Sequence, residues 1–135
     1  MSNDFGHWTL PVNIVTIPSD TIGFIYCITD NNGKKYIGKK LLEFKKSRPP
    51  LKGNKNKRRY KIESDWKTYS GSSPILNEYI LKNGKSEFKF EIISFHSSKM
   101  LLSYYETKEI IDKNAIFDKT YYNEVCNIRI RNKKS

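Results

Sequence analysis

"GFIYCITDNNGKKYIGKK", residues Gly23 to Lys40, is the stretch on which the fold turns. Its first part, "IGFIYCIT" from residue 22, is rich in β-branched and aromatic residues that suit a pleated surface. "DNNG" then supplies turn chemistry, with Asn32 and Gly33 able to take positive φ, and "KKYIG" returns. The spacing predicts an antiparallel hairpin, with nine residues between Tyr26 on one arm and Tyr36 on the other. Tyrosine is a common strand residue, so the pair can be ordinary cross-strand packing or the reactive part of a shared site.

Working outward, the 135-residue chain is long enough for one domain with a single modest core. Lys and Arg number 25 against 14 Asp and Glu, a net charge of +11 that attracts polyanions such as nucleic acid. No apolar run approaches the roughly 18 residues of a membrane span. The beginning, "MSNDFGHWTLPVNIV", lacks the basic-then-apolar order of a secretory signal, so an intracellular, cytoplasmic protein is expected. Cys27 and Cys126 lie far apart in or beside apolar runs and read as buried free thiols, not a disulfide or a metal site.

Residues 1–20 read as an irregular or edge-pairing arm whose Trp8 and Val12 to Ile17 cover part of the core. From Lys34 to Lys67 there are fourteen basic residues against three acidic ones, interrupted by Pro49, Pro50 and Gly53. We expect a short helix after Gly38 ("KKLLEFKK") and then an exposed basic insertion at 49–67 containing "KGNKNKRRYK". Such a run can be a solvated surface, but Tyr60, Trp66 and Tyr69 follow it, and aromatics beside cations offer stacking for nucleic acid. The expected nucleic-acid contacts are Lys40, Lys46, Lys52, Lys55, Lys57, Arg58, Arg59 and Trp66.

"SSPILNEYILKNG" (72–84) has a Ser N-cap, Pro74 at the first helical position and Gly84 as a stop, and predicts a short amphipathic helix. "FKFEIISF" (88–95) predicts the third strand of the sheet. "SSKMLLSYYETKEIIDKN" (97–114) predicts the longest helix, with Leu101, Tyr104, Tyr105 and Ile111 spaced for burial. On it, Glu106 falls one turn after Leu102 and one turn before Ile110, so a carboxylate projects from an apolar strip and needs a partner, a metal or a functional reason. The end of the chain reads as a short final strand or loop and a basic tail at 126–135. His7 and His96 have no metal-ligand spacing.

These pieces in order, "GFIY", "YIGKK", "WKTYSGSS", "LKNGKSEFKFEII", "SYYETKEII" and "YYN", resemble the GIY-YIG nuclease superfamily over about residues 22–125, and look most like its phage-encoded and homing-endonuclease-like members. The resemblance implies an α/β (α+β) domain: a small three-stranded antiparallel sheet flanked by about three helices, hydrolysing DNA with Mg²⁺ or Mn²⁺ to 5′-phosphate and 3′-hydroxyl ends. Tyr26 and Tyr36 match the motif tyrosines, and Gly38 the glycine closing the second motif. Glu106 matches the metal-binding glutamate and Asn123 the late asparagine, which is structural or supports the site. The family's arginine, expected on the helix after the second motif, best matches Arg48, although a strict count falls near Lys46, and Arg58 and Arg59 follow.

Phosphodiester hydrolysis needs an oriented water, a base and stabilisation of added negative charge. In the implied division of labour Glu106 holds the metal, Arg48 holds the scissile phosphate, Tyr26 is the base and Tyr36 bonds the water or phosphate. A free phenol titrates near 10, so Lys39 is expected to favour the Tyr26 phenolate. A catalytically inactive nucleic-acid-binding protein that keeps the fold is the alternative, and a ribosome-associated basic protein a more distant one. The chain is read as a monomer or a homodimer.

Overall fold

The computed structural model describes residues 4–126. Strands β1 (Gly23–Thr29) and β2 (Lys35–Leu41) form the expected hairpin, in register Tyr26↔Gly38 and Ile28↔Tyr36. Its turn closes as the residue types require: Asp30 Oδ1 accepts the backbone N–H groups of Asn32 and Lys34, each at 2.8 Å, and Gly33 takes φ 86°.

The next segment departs from expectation. No helix follows Gly38; strands β3 (Glu43–Arg48) and β4 (Arg58–Glu63) pair antiparallel as a separate two-stranded ribbon. The reason lies at Leu41 and Leu42, which pack into core clusters on opposite sides of the sheet. That is the period-2 alternation of a strand, and a helix would turn both leucines towards one side. Pro49 and Pro50 then fall where β3 ends, a position that proline tolerates.

Helix α1 (Pro74–Asn83) starts as the sequence predicts, with Ser73 Oγ accepting the Leu76 N–H at 3.3 Å and Pro74 in the first turn. Strand β5 (Lys89–His96) completes a sheet of order β2-β1-β5, antiparallel throughout. Helix α2 (Lys99–Asp112) is capped by Ser98. Two α-helices and a single 3₁₀ turn at Lys85–Glu87 thus accompany the sheet among the described residues, not three α-helices. The fold is α+β.

One sheet face carries Phe24, Tyr26, Ile28, Phe90 and Ile92 against Trp8, Trp66 and the α1 residues Leu76 and Ile80. The other carries Ile25 and Ile37 against Leu102 and Ile110 of α2 and Ala115. Burying each such aliphatic or phenyl side chain contributes about 1.5–3 kcal/mol, so this sheet, and not the exposed ribbon, holds the molecule together.

Further corrections concern which side chains are covered. On α2, Leu102, Thr107 and Ile110 are buried, whereas Leu101, Tyr104, Tyr105 and Ile111 are exposed. In the N-terminal arm Trp8 enters the core and Thr9 bridges to Glu91 of β5, but Val12, Ile14 and Val15 face solvent and only Ile17 of that group packs on the core. Cys27 and Cys126 are free thiols, as expected, but both are half-buried and not buried. The closing segment runs alongside β2 through a Lys35–Tyr121 bridge; the basic tail beyond Cys126 lies outside the described residues.

Candidate active site

Antiparallel register puts Tyr26 opposite Gly38 and diagonal to Tyr36, on the same face. The two rings lie 6.3 Å apart. Gly38 is required by this arrangement: a Cβ there would lie 2.3 Å from the Tyr26 hydroxyl oxygen, so the phenol crosses β2 only because the position has no side chain. Tyr26 is fully buried.

A third tyrosine, unassigned to the site from sequence, completes the group. Tyr69 lies edge-on to Tyr26 with ring centroids 6.1 Å apart, and its hydroxyl interacts with those of Tyr26 and Ser72. The Tyr36 hydroxyl meets Ser72 Oγ at 2.8 Å. Tyr69 and Ser72 come from "WKTYSGSS", where Gly71, at φ 85°, turns the loop across the tyrosines; a Cβ on it would stand 3.1 Å from the Tyr36 ring. Asn77 of α1 fixes that loop by donating to the Gly71 and Ser73 carbonyls at 2.9 and 3.0 Å. A flexible glycine between hydroxyl-bearing residues was the available signal.

Glu106 enters from the other side of the sheet. It is half-buried and, with Tyr36, Ser72, Asn123 and Glu124, lines a cavity of about 330 Å³ beside β2, the outermost strand of the sheet. Burial raises its carboxyl above the ordinary range, an effect that Lys39 opposes. Lys39 reaches α2 one turn earlier, where its Nζ donates to Ser103 Oγ at 2.6 Å. The apolar strip expected around Glu106 is therefore present, and the carboxylate opens from it into a polar cavity.

Burial, followed by the nearby Tyr36, Tyr69 and Glu106, raises the Tyr26 phenol well above its ordinary value, opposite to the lowering expected from Lys39. One sequence-based placement changes. Arg48, expected on a helix beside the site, is the last residue of β3, paired with Arg58 and stacked 4.5 Å over Tyr60. At roughly 3.3 Å per residue it stands some 17 Å along the ribbon from Glu43, so the structure does not bring it to the tyrosines. Cations adjoining the site include Lys39, Lys40 and Lys34: Lys40 Nζ lies 4.0 Å over the Tyr69 ring and 2.6 Å from Asp65, and Lys34 Nζ lies 4.4 Å over Tyr122 of the cavity lining.

Asn123 is buried and uses both ends of its amide on one residue, accepting from the Ile37 N–H at 2.9 Å and donating to the Ile37 carbonyl at 2.8 Å. It clamps the closing segment to β2 beside Tyr36. Of the expected nucleic-acid contacts, Lys46, Arg58 and Arg59 lie exposed on the ribbon and Lys52, Lys55 and Lys57 on its connecting turn. Trp66 does not join them: it is buried against Phe24, and its indole N–H donates to Glu63 at 3.0 Å.

No group of three or more His, Cys, Asp or Glu side chains gathers as a metal site among the described residues. A hard divalent cation that keeps most of its water needs fewer protein ligands, and a half-buried carboxylate beside two hydroxyl groups suits that donor chemistry. No curated protein and no solved structure matches the chain. Residues 8–126 match the family described as "Putative endonuclease segE, GIY-YIG domain". With that match spanning both tyrosine strands, Glu106 and Asn123, the chain belongs to the segE-type GIY-YIG domain family.

Proposed function

We propose that this chain is a divalent-metal-dependent endodeoxyribonuclease, acting inside the cell and leaving 5′-phosphate and 3′-hydroxyl ends. The observation that carries the reading is Glu106: a carboxylate raised by burial, opening into the same cavity as the Tyr36 hydroxyl. The description of its family, a putative endonuclease, supports this reading, and the chain's net charge of +11 suits a DNA substrate.

Glu106 would hold Mg²⁺ or Mn²⁺, and such a cation would supply Lewis-acid stabilisation to a phosphate oxygen. Tyr36, lining the cavity, bonds the attacking water or the phosphate. Ser72 fixes the Tyr36 hydroxyl, and the buried Tyr26 holds Tyr69 in place behind it. Lys39 and Lys40 supply positive charge for the phosphate, the role first expected of Arg48. Because lysine offers a point charge and not a planar fork, orientation of the phosphate falls to Tyr36.

Incubation with supercoiled plasmid tests this reading. Nicking or cutting with Mg²⁺ or Mn²⁺, abolished by EDTA and by Glu106→Gln in a folded protein, is the expected result. Cleavage that survives in Glu106→Gln overturns it. Binding in EDTA with no cleavage under either metal leaves the inactive nucleic-acid binder as the correct description.

A further inference from the structure

The β3–β4 ribbon is built unlike the rest of the molecule. It belongs to no larger sheet, and most of its side chains are exposed on both faces. An isolated two-stranded hairpin is at best marginally stable in water. Its register adds a further cost by placing like charges opposite one another: Glu43↔Glu63, Lys45↔Lys61 and Arg48↔Arg58. Residues 43–63 carry nine cations against two carboxylates, and so hold seven of the chain's eleven net positive charges. A ribbon of this kind is suited to a polyanion that separates and neutralises the facing cations.

Its position indicates which polyanion. At its root, Lys45, Lys46 and Lys61 line a cleft of about 500 Å³ shared with Lys99 at the start of α2. Lys99 also lines an adjoining cleft with Lys39, Lys40 and Ser103. Cationic side chains thus run without a break from the ribbon to Lys39, whose charge acts on Glu106. Two strands roughly 5 Å apart, with side chains on both faces, match the roughly 12 Å width of the B-DNA major groove, which admits a two-stranded ribbon. Six paired positions extend roughly 20 Å, enough for the ribbon tip to reach base edges while its root meets phosphates.

We propose that the β3–β4 ribbon is a duplex-docking arm that lies in the major groove and feeds one strand's backbone along Lys45, Lys61, Lys99 and Lys39 to Glu106. It deepens the endonuclease reading and rests on it for the choice of DNA. Arg48 and Arg58, at the distal end, face base edges; Lys45 and Lys61 meet phosphates.

Binding of a 20-base-pair duplex, measured by fluorescence anisotropy in EDTA with the Glu106→Gln protein, tests this without cleavage. Lys45→Gln with Lys61→Gln is expected to weaken binding at least tenfold and to flatten the dependence of log K on log salt by about 1–2, one unit for each phosphate no longer neutralised. Unchanged affinity and slope overturn the proposal. Removing facing like charges should leave the melting temperature the same or higher, which separates weaker binding from failed folding. Methylation interference needs no ribbon variant: guanine N7 methylation, in the major groove, should block binding, and interference confined to adenine N3, in the minor groove, overturns the docking mode. Ribbon-dependent binding in a protein that never cleaves defeats the nuclease reading alone. Full cleavage with ribbon-independent binding defeats this one alone.

Discussion

Glu106 holds a position where stability and chemistry oppose each other. Because burial raises its carboxyl above the ordinary value, the folded protein binds a proton more tightly than the unfolded chain, and stability falls as pH rises through that interval. Glu106→Gln should therefore melt higher than the wild type at pH 7, with the difference vanishing at pH values where both states are protonated. The same substitution should lower DNA cleavage at least about 100-fold. Thermal melts across a pH series, run beside plasmid cleavage, check both halves. The tyrosines divide in a similar test. Tyr36→Phe removes the hydroxyl of a residue that lines the cavity and should reduce cleavage more than Tyr26→Phe, whose side chain is fully buried and does not line it. Equal reductions, measured under single turnover, would return a direct role to Tyr26.

At the scale of elements, the site depends on β2 being held from both sides. Gly38→Ala places a methyl group 2.3 Å from the Tyr26 oxygen and forces the ring or the strand to move. A destabilisation of about 1–3 kcal/mol by urea unfolding is expected, together with a marked drop in cleavage. Asn123→Ala removes the clamp on Ile37 and leaves two backbone groups without their partners, at about 1–3 kcal/mol each. Asn123→Asp should cost at least as much, since it keeps the acceptor for the Ile37 N–H but buries a carboxylate and turns an oxygen towards the Ile37 carbonyl. The fold contains two hairpins, β1–β2 and β3–β4. Only the first was legible as a hairpin, because "DNNG" names its turn, whereas "PPLKGNKN" between β3 and β4 looks like a plain insertion.

For the whole molecule, the N-terminal arm links the core to the loop that carries Tyr69. His7 stacks on Phe90 at 3.8 Å and its Nε2 meets the Tyr69 carbonyl at 2.9 Å. Burial lowers its pKa to about 4. The unfolded chain therefore takes up this proton first as the pH falls. Stability present above about 6.5 is lost as the pH drops through about 4. Glu106 acts in the opposite direction, so the informative quantity is a difference: urea midpoints of His7→Gln should decline less between pH 6.5 and 4 than those of the wild type. An identical decline in both proteins would remove His7 from the account.

Much of the fold was legible in advance where short-range rules are strong. The β1–β2 hairpin, the serine caps of both helices, Pro74, and the third strand follow from residue types read within a few positions. So does Glu106, whose place between Leu102 and Ile110 marked it as a charge on a buried strip. Other features were not local. Leu41 and Leu42 fit either a helix or a strand until the two core clusters on either side of the sheet separate them. Tyr69 and Ser72 lie more than thirty residues from Tyr36 and reach it only because Gly71 and Asn77 turn their loop across β2. The sequence alone determined the two tyrosine strands, the glutamate helix and the excess of positive charge. Tertiary structure decided that Tyr26 is fully buried, that Trp66 belongs to the core, and that the basic segment after Lys40 is a ribbon carrying Arg48 away from the tyrosines. Burial and long-range pairing set those outcomes, and neither is a property of neighbouring residues in the chain.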